Sequence, residues 1–293
     1  QNPETNRCEH FESYFKKGKI SLSFLKQIEN YRNIKNLITE KYVILKINTD
    51  YKKVSCPKSS FIIGYFGQSN SANYVNQKSK ATIPKNLYQY NWKNNSCYQF
   101  KEPLLGSNGE GGNSITSFAT SIAKNYKGNI LIVPYGIGGT TIESWAHGEL
   151  SLISEQIYKD LRKRKLNVDL FLLHQGETNS SQLIYLNSVV KSKYSKPYLK
   201  NLLMVIDQTK KYFPRSYFGV SLVSFCGNTK SSKYIVNAQK KVAELRENVY
   251  VSANSDSLNK KKYRTDGCHF NQKGVRLLGA MYEKSFKKNI FNY

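Results

Sequence analysis

Acidic residues are scarce in this chain of 293 residues: 20 Asp and Glu stand against 45 Lys and Arg, a formal charge of +25. Such a balance suits polyanionic surroundings, whether nucleic acid, anionic glycan or acidic lipid headgroups. The charge is spread along the chain and no nucleic-acid-binding motif accompanies it, so nucleic acid is not an expected partner. The densest runs, Arg162-Lys163-Arg164-Lys165 and Lys260-Lys261-Lys262, read as solvated faces. Long apolar runs are missing as well. None approaches the roughly 20 residues that cross a bilayer, and no transmembrane segment is expected. Cysteine is sparse, and Cys8, Cys56, Cys97, Cys226 and Cys268 include no CxxC spacing, which argues against a zinc site. No metal or other cofactor is expected. Internal repeats and low-complexity linkers are absent.

What is present reads as a globular α/β protein. The hydrophobic share of 39% is evenly scattered, enough for a substantial core. Residues 1–58 are polar and mixed, with helical spacing from Leu22 to Leu37 and a strand-like run Tyr42-Val43-Ile44-Leu45-Lys46-Ile47. They are taken as an N-terminal accessory segment, and residues 59–293 as the main domain. From Phe61 onward short apolar strands alternate with helices. Strands are predicted at 61–66, 129–134, 169–174, 217–225 and 248–252. Helices are predicted near 114–126, 150–164, 199–212, 232–246 and 272–287. This alternation implies a five-stranded parallel sheet, doubly wound and flavodoxin-like, covered by helices on both faces. Residues 71–113 form a long excursion carrying Tyr74, Tyr88, Tyr90, Trp92, Tyr98 and Phe100, then glycines from Gly106 to Gly112. The aromatics suit either a sugar-stacking wall or a small side-core.

Chemistry concentrates where strands end, the ligand edge of open α/β sheets. Gly67-Gln68-Ser69-Asn70 follows the first apolar run and offers a serine on a sharp turn. Tyr135-Gly136-Ile137-Gly138-Gly139-Thr140-Thr141 follows the second and leads to Trp145. Its glycines allow close backbone approach to a ligand, and it lacks the Lys-Ser/Thr ending of a phosphate loop. Gln175-Gly176-Glu177 follows the third and supplies an amide donor. Near the C-terminus, Asp266-Gly267-Cys268-His269 holds one of only four histidines. The spacing of three lets a carboxylate orient one ring nitrogen while the other faces the serine. Cys226 and Cys268 fall at the same sheet edge in this fold, as a disulfide or as two thiols; an odd count leaves at least one cysteine without an intrachain partner.

These four blocks, in this order and spacing, resemble the SGNH (GDSL-like) hydrolase superfamily. Within it the chain is similar to the branch holding sialate O-acetylesterases and acetylxylan esterases, over roughly residues 59–290. The segment Glu102-Pro103-Leu104-Leu105-Gly106 also resembles that branch, with Glu102 in place of the usual Asp; Asn179 likewise stands where many relatives carry Asp. The resemblance implies Ser69 as nucleophile, His269 as base and then acid, and Asp266 as its orienting carboxylate. It implies an oxyanion hole from the Ser69 N–H, Gly138 or Gly139, and the Gln175 side chain, with Gln68, Asn70, Glu177 and Trp145 supporting the loops. The expected activity is O-acetyl ester hydrolysis on a carbohydrate, an anionic one by charge, with a glycan acetyltransferase or a non-catalytic glycan-binding protein as alternatives. The opening at Gln1 without Met or a signal-type stretch, the cysteines and the implied glycan substrate point to an exported protein.

Overall fold

The strands that the apolar runs dictate assemble into one mixed sheet. In the computed structural model the described residues are Lys41, 50–184, 186–227 and 230–291. The helix and strand expected at 22–37 and 42–47, and Cys8, lie outside them. The elements in chain order are β1 (Lys53–Val54), β2 (Ser60–Gly67), β3 (Leu87–Asn91), β4 (Ser96–Gln99), α1 (Thr116–Asn125), β5 (Asn129–Pro134), α2 (Ile142–Ala146), α3 (Glu149–Lys163), β6 (Leu170–His174), α4 (Glu177–Gln182), α5 (Ser188–Tyr212), β7 (Tyr217–Leu222), α6 (Lys233–Leu245), β8 (Val249–Asn254) and α7 (Gln272–Phe286). Sheet order is β1-β4-β3-β5-β2-β6-β7-β8.

The five expected strands are β2, β5, β6, β7 and β8, all parallel and in the doubly wound order β5-β2-β6-β7-β8. The sheet is wider than five strands because the aromatic excursion supplies β3 and β4, and residues 53–54, before the first expected strand, supply β1. β3 extends the parallel set beside β5, and β4 and β1 follow antiparallel at that edge. The bends and Asn-rich turn of residues 91–96 hide this hairpin from a search for buried runs. Its aromatics settle as a side-core: Tyr90, Trp92, Tyr98 and Phe100 are buried, and the Trp92 indole N–H donates to Gly106 O at 2.9 Å. A disulfide joins Cys56 to Cys97 on β4.

Apolar residues on one face of the sheet, among them Ile63, Tyr65, Ile132 and Leu172, pack with Phe118 and Ile122 of α1 and Leu278 and Tyr282 of α7. On the other face Phe66 stacks on Tyr135 at 4.7 Å, and Phe171 meets Tyr158 of α3 and Phe213 just after α5. α5 begins eleven residues before the expected 199, because Pro197 lies inside the helix instead of ending it. No described helix is long and apolar enough to cross a membrane.

Candidate active site

The C-terminal ends of β2, β5 and β6 meet at one point, the position where strand order reverses. Gln68 N–H donates to His174 O at 3.0 Å and Ile137 N–H to Gly67 O at 2.9 Å, so the Ser69 turn lies between the other two strand-end loops. Gly67 has φ +129°, and an added Cβ would come within 2.1 Å of the His174 carbonyl, so only glycine fits between these strand ends. Ser69 then starts a short 3-10 turn ending at Ser71.

The Asp266–His269 string folds as its spacing suggested. Asp266 Oδ2 lies 2.6 Å from His269 Nδ1, and Asp266 Oδ1 accepts the His269 N–H at 2.7 Å and the Cys268 N–H at 2.9 Å. A carboxylate only accepts, which places the ring proton on Nδ1 and leaves Nε2 as the basic nitrogen. Desolvation, the largest influence, raises the Asp266 carboxyl, but the His269 and Cys268 hydrogen bonds outweigh it and bring it down to about 2.

Asn70 joins the serine turn to this string. Its Oδ1 accepts the Phe270 N–H at 3.2 Å, and its Nδ2 donates to Cys268 O at 3.2 Å and to Glu177 Oε1 at 2.9 Å. The peptides on both sides of His269 are thereby fixed to the residue after Ser69. Glu177 is buried, with Oε1 at 3.5 Å from His174 Nε2. Burial raises its carboxyl, while His174 and Asn70 outweigh that and set a net direction downward. Behind the string lies Arg264, only 3% exposed. Its guanidinium donates to the carbonyls of Leu258, Ser255 and Cys268 and covers the Phe270 ring at 4.0 Å. Burial, the leading cause, brings it down to about 10. Cys226 and Cys268 form a disulfide, the first of the two states considered for them. It links the string to the loop after β7, whose Ser224 and Phe225 amides are held by Asp256 at 2.8 and 2.9 Å.

The groups expected at an oxyanion hole are differently engaged. Gly138 N–H donates to Asn108 Oδ1 at 2.9 Å. Gly139 and Ser69 show no backbone N–H bond among the described residues, and an added Cβ on Gly139 would meet nothing within 4 Å. The Gln175 amide donates to Asn179 Oδ1 at 2.5 Å and to Thr140 O at 3.3 Å, so it braces its neighbours in this state. Asn179 Nδ2 reaches Glu143 and Tyr194, both at under 3 Å. Gln68 Oε1 accepts from the Gly176 and Thr178 amides. Trp145 is buried against Phe66 and donates to Thr140 Oγ1 at 3.0 Å, so it supports the glycine loop from beneath. Glu102 accepts from the Ser79 and Asn113 amides and the Thr116 hydroxyl, fixing the excursion. The Ser69 hydroxyl makes no hydrogen bond to His269 among the described residues; Asp266 and His269 are in contact, and the serine is brought near through Asn70.

Arg264, Asp256 and Asn108 were not singled out for the site from sequence, and Tyr74 only as one aromatic of the excursion. Arg264 stands two residues before Asp266, yet nothing distinguishes it from the other basic residues until its burial is known. Among the described residues no group of three or more His, Cys, Asp or Glu converges as metal ligands would.

Comparison with known proteins gives the family and the fold. The profile of the family described as carbohydrate esterase, sialic acid-specific acetylesterase, matches residues 58–288. No curated protein sequence matches the chain. A protein from Arabidopsis thaliana is similar in structure, with TM-score 0.64 and 17% identity over 80% of this chain and 99% of that one. NanS is similar with TM-score 0.55 and 11% identity, covering 82% of this chain and all of that one. The lipase Lip_vut3 from a goat rumen metagenome follows at TM-score 0.52 and 10% identity, over 77% and 97%. At these identities the structural likenesses speak for the fold.

Proposed function

The chain belongs to the sialic acid-specific acetylesterase family of carbohydrate esterases, and on that premise we propose that it is a serine esterase removing O-acetyl groups from a glycan. The observation that carries the reading is the Asn70 side chain, which joins the residue after Ser69 to both peptides flanking His269. In the reaction His269 Nε2 takes the Ser69 proton as Oγ adds to the acetyl carbonyl carbon. The oxyanion receives the N–H groups of Ser69 and Gly139, each such donor being worth about 3 kcal/mol of barrier. Gln175 joins them by releasing its longer bond, to Thr140 O. The sugar hydroxyl departs with the proton from His269, leaving acetyl on Ser69. Water then attacks with His269 again as base, releasing acetate and restoring the serine. Asp266 holds the imidazole and balances the imidazolium formed in each half.

The substrate we favour is an acidic O-acetylated sugar, of the sialic-acid type or in a surface polysaccharide or peptidoglycan, in keeping with the family and the charge of +25. Two disulfides among the described residues favour an oxidising compartment and hence export. The test is acetate release from a small acetyl ester and from a panel of O-acetylated glycans, intact protein against Ser69→Ala. Release should fall on the order of 10³-fold or more in the variant. Release that persists at the intact rate in folded Ser69→Ala overturns the reading.

A further inference from the structure

We propose that Tyr74 is a positioning residue for His269; the inference rests on the esterase reading above. The Tyr74 ring stacks on the imidazole with centroids 5.2 Å apart and planes 19° from parallel. The ring is itself held in a slot. An added Cβ on Gly138 would come within 3.0 Å of the Tyr74 ring, and one on Gly109 within 3.2 Å, so these two glycines leave the room it occupies. Its hydroxyl accepts from Asn108 Nδ2 at 3.1 Å, and Asn108 Oδ1 accepts the Gly138 N–H at 2.9 Å. The imidazole and the glycine loop are thus connected through one tyrosine and one asparagine.

Two physical consequences follow. His269 is joined to Asp266 at one edge only, and a single hydrogen bond leaves a ring free to swing about it; a stacked face removes that freedom. The second concerns charge. A cation within about 6 Å of an aromatic face is attracted to it, and the imidazole gains a positive charge as it takes the serine proton. The contact therefore strengthens in the transition state and contributes little to substrate binding, which is the pattern that alters kcat and leaves KM. Tyr74 is 37% exposed, so its loss opens no large cavity in the core.

The experiment is steady-state kinetics on a small acetyl ester with Tyr74→Leu, Tyr74→Met and Tyr74→Phe, with thermal unfolding of each. The two aliphatic variants should lose about tenfold in kcat with KM within twofold, at an unchanged unfolding midpoint. Tyr74→Phe keeps the stack and should recover kcat to within about threefold. If Tyr74→Leu fails to fold, Tyr74→Met carries the comparison. Wild-type kcat in a folded aliphatic variant, or a loss that Tyr74→Phe shares in full, overturns the proposal while Ser69→Ala still abolishes release. If Ser69→Ala retains release, the esterase reading and the role of Tyr74 fall together.

Discussion

Asn70→Ala tests the joint between the serine turn and the histidine string. The Asn70 amide is 2% exposed and serves three partners. Cys268 O keeps a second donor in Arg264, so its loss is small. The Phe270 N–H is left buried without an acceptor, at about 1–3 kcal/mol, and Glu177 loses a charge-assisted bond of about 1.5–3 kcal/mol. Together these give a destabilisation of about 2.5–6 kcal/mol, or on the order of 10 °C in Tm for a domain of this size. Asn70→Asp keeps the shape, yet sets a second carboxylate 2.9 Å from Glu177 Oε1 in a buried site, and should be worse than Ala. Both variants should also lose kcat, because the peptides flanking His269 are no longer held. The assay is thermal and denaturant unfolding with acetate release on the same samples. A loss below about 1 kcal/mol with unchanged kcat, or Asp proving milder than Ala, would refute the reasoning.

The two disulfides should separate stability from activity. Cys226→Ser/Cys268→Ser loosens the string beside His269 and should lower kcat, whereas Cys56→Ser/Cys97→Ser lies at the far sheet edge and should lower stability alone, by about 2–4 kcal/mol; equal effects of both on kcat would contradict this. Asp266→Asn should reduce kcat by about 10³–10⁴-fold through the wrong imidazole tautomer, and a loss under tenfold would remove Asp266 from its assigned role. The same variant reads out a pH effect. A carboxyl depressed to about 2 stabilises the fold above its ordinary value near 4 and loses that contribution as pH falls toward 2. The Tm gap between wild type and Asp266→Asn should therefore be constant from pH 7 to 5 and close between pH 4 and 2; a gap that instead opens with acid reverses the sign and refutes it.

The parallel core was legible because its strands are buried on both faces and so read as continuous apolar runs: Phe61 to Phe66, Ile130 to Val133 and Leu170 to Leu173. The added hairpin was not, because β3 and β4 mix polar residues among their aromatics, and Gln89 and Asn91 are buried as fully as Tyr90. Gln89 shows why: its amide donates to Lys101 O and its Oε1 accepts the Leu105 N–H, so a polar side chain there stitches the excursion together. Burial of this kind depends on partners 12 and 16 residues away, which a local pattern does not display.

The site divides along the same line. Asp266 and His269 are three residues apart, and a contact that short is written in the spacing. That the Gly138 N–H is already taken is not, since its acceptor, Asn108, lies 30 residues away in the chain. Gln175 makes the point more sharply. Its identity offered a donor, but Asn179 and Thr140 already accept from it, and Asn179 is held by Glu143 of α2 and Tyr194 of α5. An Asp at 179 would still accept from Gln175 and from the Ile142 N–H, but would face the Glu143 carboxylate without a proton to offer. The substitution of Asn for Asp at 179 therefore goes with Glu143: the amide is the form that can accept from Gln175 and donate to Glu143 at once. The Gln175 amide is thus set by the Tyr198 hydroxyl, which donates to its Oε1 at 3.1 Å, and by Asn179, which a carboxylate 32 residues earlier than Gln175 holds in place, and only the fold brings these groups into one network.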